Sequence, residues 1–265
     1  MLIVGERINS TRKQVRKAVE ARNADFIAAE AKAQAAMGAD YIDVNAGTSV
    51  AREVDDLKWL VETVEAAVDS PLCLDSANPA ALKAALALAR RGVIINSITG
   101  EKARRDAILP VVIESGASVV ALLMDDVGMP EDAAGRIGVA ERLVPELVKA
   151  GVPLDHIFVD PLVRPASTDT KQPPAVLETV RTVTRMFPGI HAICGLSNVS
   201  FGLPVRNAMN TTFLALMIQA GLDAAIIDPT EPRMYATVVA AEALLGKDEF
   251  CMNYIAASRA GRLTP

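Results

Sequence analysis

Along the chain, short runs of apolar residues alternate with longer segments in which apolar positions recur at helical spacing. The runs cover residues 2–6, 41–45, 72–75, 93–96, 118–124, 157–160, 190–194 and 223–227. Most are apolar at successive positions, the pattern of strands buried on both faces of a parallel sheet. Between them, helices are predicted over 11–37, 52–68, 79–91, 101–115, 131–149, 174–186, 204–220 and 235–245. In the second of these, Leu57, Leu60, Val61 and Val64 share one face. Gly38 is placed to stop the first helix, and Asn78 followed by Pro79 is an N-cap with proline at N1. The segment from residue 247 onward, mildly basic through Arg259 and Arg262, reads as a solvated end.

The predicted strand ends fall at 6, 45, 75, 96, 124, 160, 194 and 227, and no gap is long enough to hide a further domain. Eight strand–helix units at near-even spacing, without a phosphate-loop or dinucleotide glycine fingerprint after the first strand, favour closure of the sheet. The expected architecture is an α/β (β/α)8 TIM barrel, one domain over residues 1–265.

In such a barrel all strands end at one mouth, where function concentrates. The residues there are Glu6, Asp43, Asn45, Asp75, Asn96, Asp125, Asp160, Ser197, Asn198 and Asp228. Any one of them could cap a helix or close a turn. Their joint placement at one end needs a further reason, because buried polar groups require partners. The uncharged stretch Gly195-Leu196-Ser197-Asn198-Val199-Ser200, after the seventh run, reads either as turn chemistry or as part of a site.

Composition narrows the chemistry. A net charge of −5 and a pI near 5.2 argue against nucleic acid or an anionic membrane as partner. No apolar run approaches the roughly 20 residues that span a bilayer. The start of the chain has no basic leader pattern, and three scattered cysteines form no zinc spacing or disulfide framework, so a cytoplasmic location is expected. None of the nine lysines ends a strand, which argues against a Schiff-base enzyme. His156 and His191 sit at strand starts, away from the mouth, so no His-based metal centre is expected; a magnesium site of carboxylates alone stays open, and no metal ligand is assigned. With 4% aromatic residues and one tryptophan, the stacking surfaces of a glycosidase are missing. A mouth of carboxylates and amides suits a flat heterocycle with several N–H donors and ring acceptors. A carboxylate can accept two parallel N–H bonds from an amino-pyrimidinone edge, and an amide can donate and accept at once.

Several motifs carry a family resemblance that runs nearly end to end. They are Leu2-Ile3-Val4-Gly5-Glu6-Arg7-Ile8-Asn9, Asp43-Val44-Asn45, Cys73-Leu74-Asp75-Ser76, Ile95-Asn96-Ser97 and Asp160-Pro161-Leu162. Gly195 to Ser200, Arg206-Asn207, Asn210 to Leu214 and Gly221 to Ile226 complete the set. In this order and spacing the sequence resembles the pterin-binding barrels, and within them the methyltetrahydrofolate:corrinoid protein methyltransferases. The resemblance implies methyl transfer by SN2 displacement between N5 of tetrahydrofolate or 5-methyltetrahydrofolate and the cobalt of a corrinoid. It implies that Asp75, Asn96 and Asp160 hold the pterin ring, that Asn198 hydrogen-bonds near N5 as the catalytic group, and that Arg206 lies near the folate. Glu6, Asp43, Asn45, Gly195 and Ser197 complete the expected substrate-binding set. Phe201-Gly202-Leu203 departs from the family, which carries a longer and more polar stretch there, so no contact is carried over to Phe201. Neither histidine sits in an Asp-x-His-x-x-Gly cobalamin motif, so the cobalamin or other corrinoid is expected on a separate protein docked at the mouth. A homodimer is implied by the family, and the direction of transfer is left open. Dihydropteroate synthase-like condensation and a non-catalytic pterin-binding scaffold are the competing readings.

Overall fold

In the computed structural model, which describes residues 1–47, 49 and 51–263, the eight apolar runs form eight parallel strands. These are β1 Leu2–Asn9, β2 Tyr41–Asn45, β3 Leu72–Asp75, β4 Val93–Thr99, β5 Ser118–Leu122, β6 Ile157–Asp160, β7 His191–Ala192 and β8 Ala224–Ile227. Neighbours pair in chain order from β1 to β7, and β8 pairs with β1. The last seam closes through a parallel bridge between Gly195 and Ile226, where the Ile226 N–H donates to the Cys194 carbonyl at 2.9 Å. The result is a (β/α)8 barrel, as the spacing predicted.

Among the described residues ten α-helices surround it: α1 Lys13–Glu20, α2 Ala24–Ala36, α3 Glu53–Ala67, α4 Pro79–Leu86, α5 Lys102–Ser115, α6 Ala133–Lys149, α7 Gln172–Met186, α8 Arg206–Ala220, α9 Pro232–Leu244 and α10 Met252–Arg259. The Asn78 side chain caps α4 by accepting from the Ala80 and Ala81 N–H groups, with Pro79 in the first turn. No helix among the described residues is long and apolar enough to cross a membrane.

Two apolar layers hold the barrel. The larger packs the helices onto the outward strand residues, such as Ile42, Leu72, Leu74 and Ile95. The smaller fills the barrel itself with Val4, Cys73, Ile94, Val120, Phe158, Ile193 and Ala224. Each buried aliphatic side chain contributes about 1.5–3 kcal/mol relative to exposure. Because side chains alternate along a strand, the residue two positions beyond each plug residue also faces inward. That rule carries Val4 to Glu6, Cys73 to Asp75, Ile94 to Asn96 and Phe158 to Asp160, and the Tyr41 that packs on the plug to Asp43. The interior is apolar at the bottom and acidic at the open end.

Three expectations need correction. The helix predicted over 11–37 is two helices, because Arg22 takes φ +53° and the Asn23 side chain accepts from the Phe26 N–H at 3.1 Å. An asparagine that offers its own oxygen to the backbone starts a new helix more readily than it continues an old one. The helix predicted to 91 stops at Leu86. The tail is not a solvated end: α10 packs on α9, and the Arg262 guanidinium donates to the Met37 carbonyl at 2.8 Å. The same guanidinium lies 3.6 Å from the Tyr235 ring centre. A side chain at Gly38 would collide with it, since a Cβ there would lie 2.4 Å from Arg262 Nη2. Arg262 thus ties the tail over the end of α2. Arg262→Ala should cost about 1–2 kcal/mol, read as a fall in the thermal midpoint of a few degrees, with no effect on ligand binding at the mouth.

Candidate active site

The acidic end of the barrel opens into a cleft of about 720 Å³. Nine of the ten expected site residues line it: Glu6, Asp43, Asp75, Asn96, Asp160, Gly195, Ser197, Asn198 and Arg206. The tenth, Asn45, stands behind the lining. Its Nδ2 donates to Asp75 Oδ2 at 3.0 Å, and its Oδ1 accepts from the Gly47 N–H at 3.0 Å. Asn45 therefore fixes a carboxylate of the floor from behind. Asp125, expected at the mouth, is turned away into a pair with Arg142 at 2.6 Å and a tight turn with Gly128. Asp228 does line the cleft, paired with Arg7 at 2.9 Å.

The floor is positioned by strand register. Asn45 stands beside Asp75, and Asp75 beside Asn96, in the parallel ladders β2–β3–β4. Asp160 ends β6, and its Oδ1 accepts the Leu162 N–H at 2.7 Å. The wall is the 3-10 turn Leu196–Ser200. Arg206, at the start of α8, holds this turn with two bonds: Nη2 to the Ser197 carbonyl at 2.6 Å and Nε to Ser200 Oγ at 2.9 Å. Ser197 Oγ in turn donates to Glu6 Oε2 at 3.2 Å. Leu196, Val199 and Ser200 are buried while Asn198 is exposed on the cleft side. The turn thus presents one amide side chain from an anchored backbone.

Burial dominates the electrostatics of the floor. It pushes Glu6 up to about 7, against the Ser197 hydrogen bond. It pushes Asp160 up to about 7, against backbone donors at Leu162 and Gly195. Asp75 rises to about 6 through burial, opposed by the Asn45 amide and the Arg104 charge. Asp43 is raised well above the ordinary carboxylate range by burial and by the neighbouring Asp75. Its Oδ1 is buried and has no hydrogen-bond partner. A buried carboxyl oxygen without a partner costs folding free energy unless a ligand supplies one. The cleft is therefore built to receive polar hydrogens and acceptors from outside.

Residues beyond the strand ends complete the lining: Arg7, Arg12, Met129, Asn207, Asn210 and Met234. Arg7 is held by Glu30 at 2.6 Å as well as by Asp228. Arg7 lies in β1 just past the predicted strand end, and the others come from the first two turns of helices and from loops, which a rule reading only strand ends passes over. The sequence signal available was the Arg206-Asn207 and Asn210 to Leu214 motifs, which mark the start of α8. The two histidines lie at the other end. His156 precedes β6, and His191 in β7 pairs with Asp223 at 2.6 Å and stacks on Phe158. Among the described residues, no group of three or more His, Cys, Asp or Glu side chains is arranged to hold a metal ion.

The raised carboxylates make stability depend on pH with a definite sign. A carboxyl that binds its proton more tightly when folded destabilises the fold above its folded pKa, and the penalty fades as pH falls toward the unfolded value. Asp43→Asn removes one such charge with little change of shape. Its thermal midpoint should exceed that of the native protein at pH 8, by an amount that shrinks as the pH approaches 4. A gap independent of pH in differential scanning calorimetry would show that Asp43 is not the titrating group.

Comparison with known proteins agrees with this geometry. A family model described as pterin binding enzyme matches residues 5–228. The methylcorrinoid:tetrahydrofolate methyltransferase of Eubacterium limosum is 37% identical, over all of this chain and 98% of its own. The methionine synthase of Mycobacterium tuberculosis is 31% identical over 86% of this chain, which corresponds to 20% of that much longer protein. Among solved structures, dihydropteroate synthase from Stenotrophomonas maltophilia superposes with a TM-score of 0.70 at 19% identity, covering 94% of this chain and 93% of its own. That likeness establishes the barrel. With a family model spanning most of the chain and an end-to-end relative beside it, the protein belongs to the pterin-binding enzymes.

Proposed function

We propose that this enzyme, a single barrel domain, moves a methyl group between N5 of tetrahydrofolate and the cobalt of a corrinoid carried by a separate protein. The observation that carries the reading is the combination at one mouth: a floor of buried carboxylates and an amide, and above it one exposed amide, Asn198, on a turn clamped by Arg206. The end-to-end relative named for transfer from a methylcorrinoid to tetrahydrofolate supports the same direction here.

In this reading Asp75 and Asp160 accept N–H bonds from the amino-pyrimidinone edge of the pterin, and Asn96 pairs with neighbouring ring groups. Asp43, whose burial favours the protonated form, meets a ring group through Oδ1, the oxygen that lacks a partner. These bonds are worth on the order of 1 kcal/mol each, more where charge-assisted. They fix the ring so that N5 lies under Asn198. The N5 lone pair then takes the methyl while the cobalt–carbon electrons remain with cobalt, which passes from Co(III) to Co(I), and the N5 proton leaves. As N5 gains positive charge, the Asn198 carbonyl oxygen accepts its N–H more strongly than in the ground state. Such differential binding accelerates the step. Glu6, raised to about 7 and bonded to Ser197 in the turn that carries Asn198, is suited to exchange that proton at neutral pH.

Exposed Val127, Met129, Phe201 and Val205, on the loops around the mouth, support docking of the corrinoid protein at this end. The same reading has the enzyme act as a homodimer in the cytoplasm, which sedimentation velocity of the purified protein checks for assembly.

The central test mixes the protein with tetrahydrofolate and methylcobalamin and follows the visible spectrum for loss of the methyl–cobalt species. Turnover of p-aminobenzoate with a pterin pyrophosphate instead would favour condensation chemistry. Tight folate binding without any turnover would favour a scaffold. Asn198→Ala should lower the methyl-transfer rate roughly 10²–10³-fold with little change in folate affinity; equal losses in both would remove its catalytic role. Asp75→Ala and Asp160→Ala should instead weaken pterin binding about tenfold or more, measured by titration calorimetry.

A further inference from the structure

The floor of the cleft is held from outside the barrel as well as from within it. Asp75 and Asn96 stand side by side at the ends of β3 and β4 and face the cleft. Side chains alternate along a strand, so the residues that follow them, Ser76 and Ser97, turn outward toward the helices. Both serines are buried, and each is gripped by one charged side chain. Glu53, in the first turn of α3, accepts the Ser76 hydroxyl at 2.6 Å through Oε1 and the Asn78 amide at 3.2 Å through Oε2. Arg104, in the first turn of α5, donates from Nη2 to Ser97 Oγ at 3.1 Å and to the Ser97 carbonyl at 3.3 Å. Neither Glu53 nor Arg104 lines the cleft.

The two charges are unequally satisfied. Glu53 has a donor on each oxygen. Arg104 has a buried Nε without a partner and forms no ion pair among the described residues. Its charge is instead felt by Asp75. The groups that face Asp75 are Asp43 and Asn45 from β2, Asn96 from β4, Glu53 from α3 and Arg104 from α5. Arg104 is the one cation in that set. Burial and Glu53 disfavour the ionised carboxyl, while the Asn45 amide and Arg104 favour it. The balance matters for binding, because a pterin edge that offers N–H groups needs an acceptor, and a protonated carboxyl gives up part of that capacity.

We propose that Arg104 is a positioning residue of the pterin floor: it anchors the end of β4 beside Asn96 and supplies, from behind, the positive charge that lets Asp75 meet the pterin edge as an anion. The proposal rests on the pterin reading of the floor. Glu53 is the counterweight, holding the end of β3 while opposing the same ionisation. A cation placed behind the floor favours the anion without itself facing the N–H donors of the ligand, which it would repel.

The test follows binding of 5-methyltetrahydrofolate by titration calorimetry from pH 5 to pH 8.5. In the native protein, affinity should fall as the pH drops through about 6, where Asp75 takes up its proton. Loss of the Arg104 charge makes Asp75 hold that proton more tightly, so the fall should begin at higher pH. Arg104→Met should therefore bind up to about tenfold more weakly below pH 6, the effect of a modest opposite charge, and the difference should close above pH 8. Arg104→Lys should keep the native profile. Glu53→Gln should move the fall to lower pH, and it tests the same balance with the opposite sign should Arg104→Met fail to fold. Glu6, Asp43, Asp160 and the ligand titrate in every variant, so the difference between profiles reads Asp75. A loss equal at every pH would make Arg104 a structural anchor only and refute the proposal. So would Arg104→Lys behaving as Arg104→Met, or a profile that neither Arg104→Met nor Glu53→Gln displaces. If the native protein binds 5-methyltetrahydrofolate at no pH, the pterin reading itself fails, a result distinct from an undisplaced profile.

Discussion

Everything at the mouth depends on the cost of burying carboxylates. The plug residues Val4, Cys73, Ile94 and Phe158 fill the barrel to a fixed height, and the next inward position on each strand is polar. Glu6, Asp43, Asp75 and Asp160 are thus held where water is scarce, and each is raised in pKa for that reason first. The protein offsets part of the cost with local donors: Asn45 to Asp75, the Leu162 N–H to Asp160, Ser197 to Glu6. The offset is incomplete, and Asp43 Oδ1 is left without a partner. Sites that are under-satisfied when empty have free energy to gain from a ligand that completes them.

The floor alone does not select a reaction. The barrel is shared with dihydropteroate synthase at 19% identity, and a common fold supports more than one chemistry. What separates the possibilities is the wall. The turn Leu196–Ser200 is anchored from three sides: by Arg206 from α8, by Glu6 from β1 through Ser197, and by the loop after β6 through Ala166 and Ser167. Such over-determination matters for a group that must meet N5 at hydrogen-bond distance, because a displacement of about 1 Å can cost a hundredfold in rate. The same anchoring joins the turn and Phe201 to the loop after β6.

Much of this was legible in the sequence. Eight strand–helix units, their spacing and the polar residue at nearly every strand end are properties of linear order, and β-alternation converts that order into a shared mouth. Glu6, Asp43, Asp75, Asn96 and Asp160 line the cleft for this reason, while Arg206, expected only from the family resemblance, lines it from α8. Asn45 and Asp125 end strands as the others do, but one side chain turns to a neighbouring carboxylate and the other to Arg142, choices set by partners distant in sequence. The docked tail with Arg262 likewise depends on contacts between remote segments, whereas the break at Arg22 and Asn23 is local, set by the asparagine that caps α2.

The sequence by itself determined the barrel, the acidic character of its open end, and the motif around Asn198, because each follows from periodicity or from residue types in fixed order. Only the tertiary structure decided which side chains reach the cleft and which support it from behind. It alone showed that Arg206 clamps the catalytic turn, since the atoms it binds are several residues away and on a different element. It alone showed how the arginines and acids at the mouth pair, as Arg7 does with Glu30 and Asp228. Charge at a site is a sum over loops that the chain brings together only on folding, and no linear reading performs that sum.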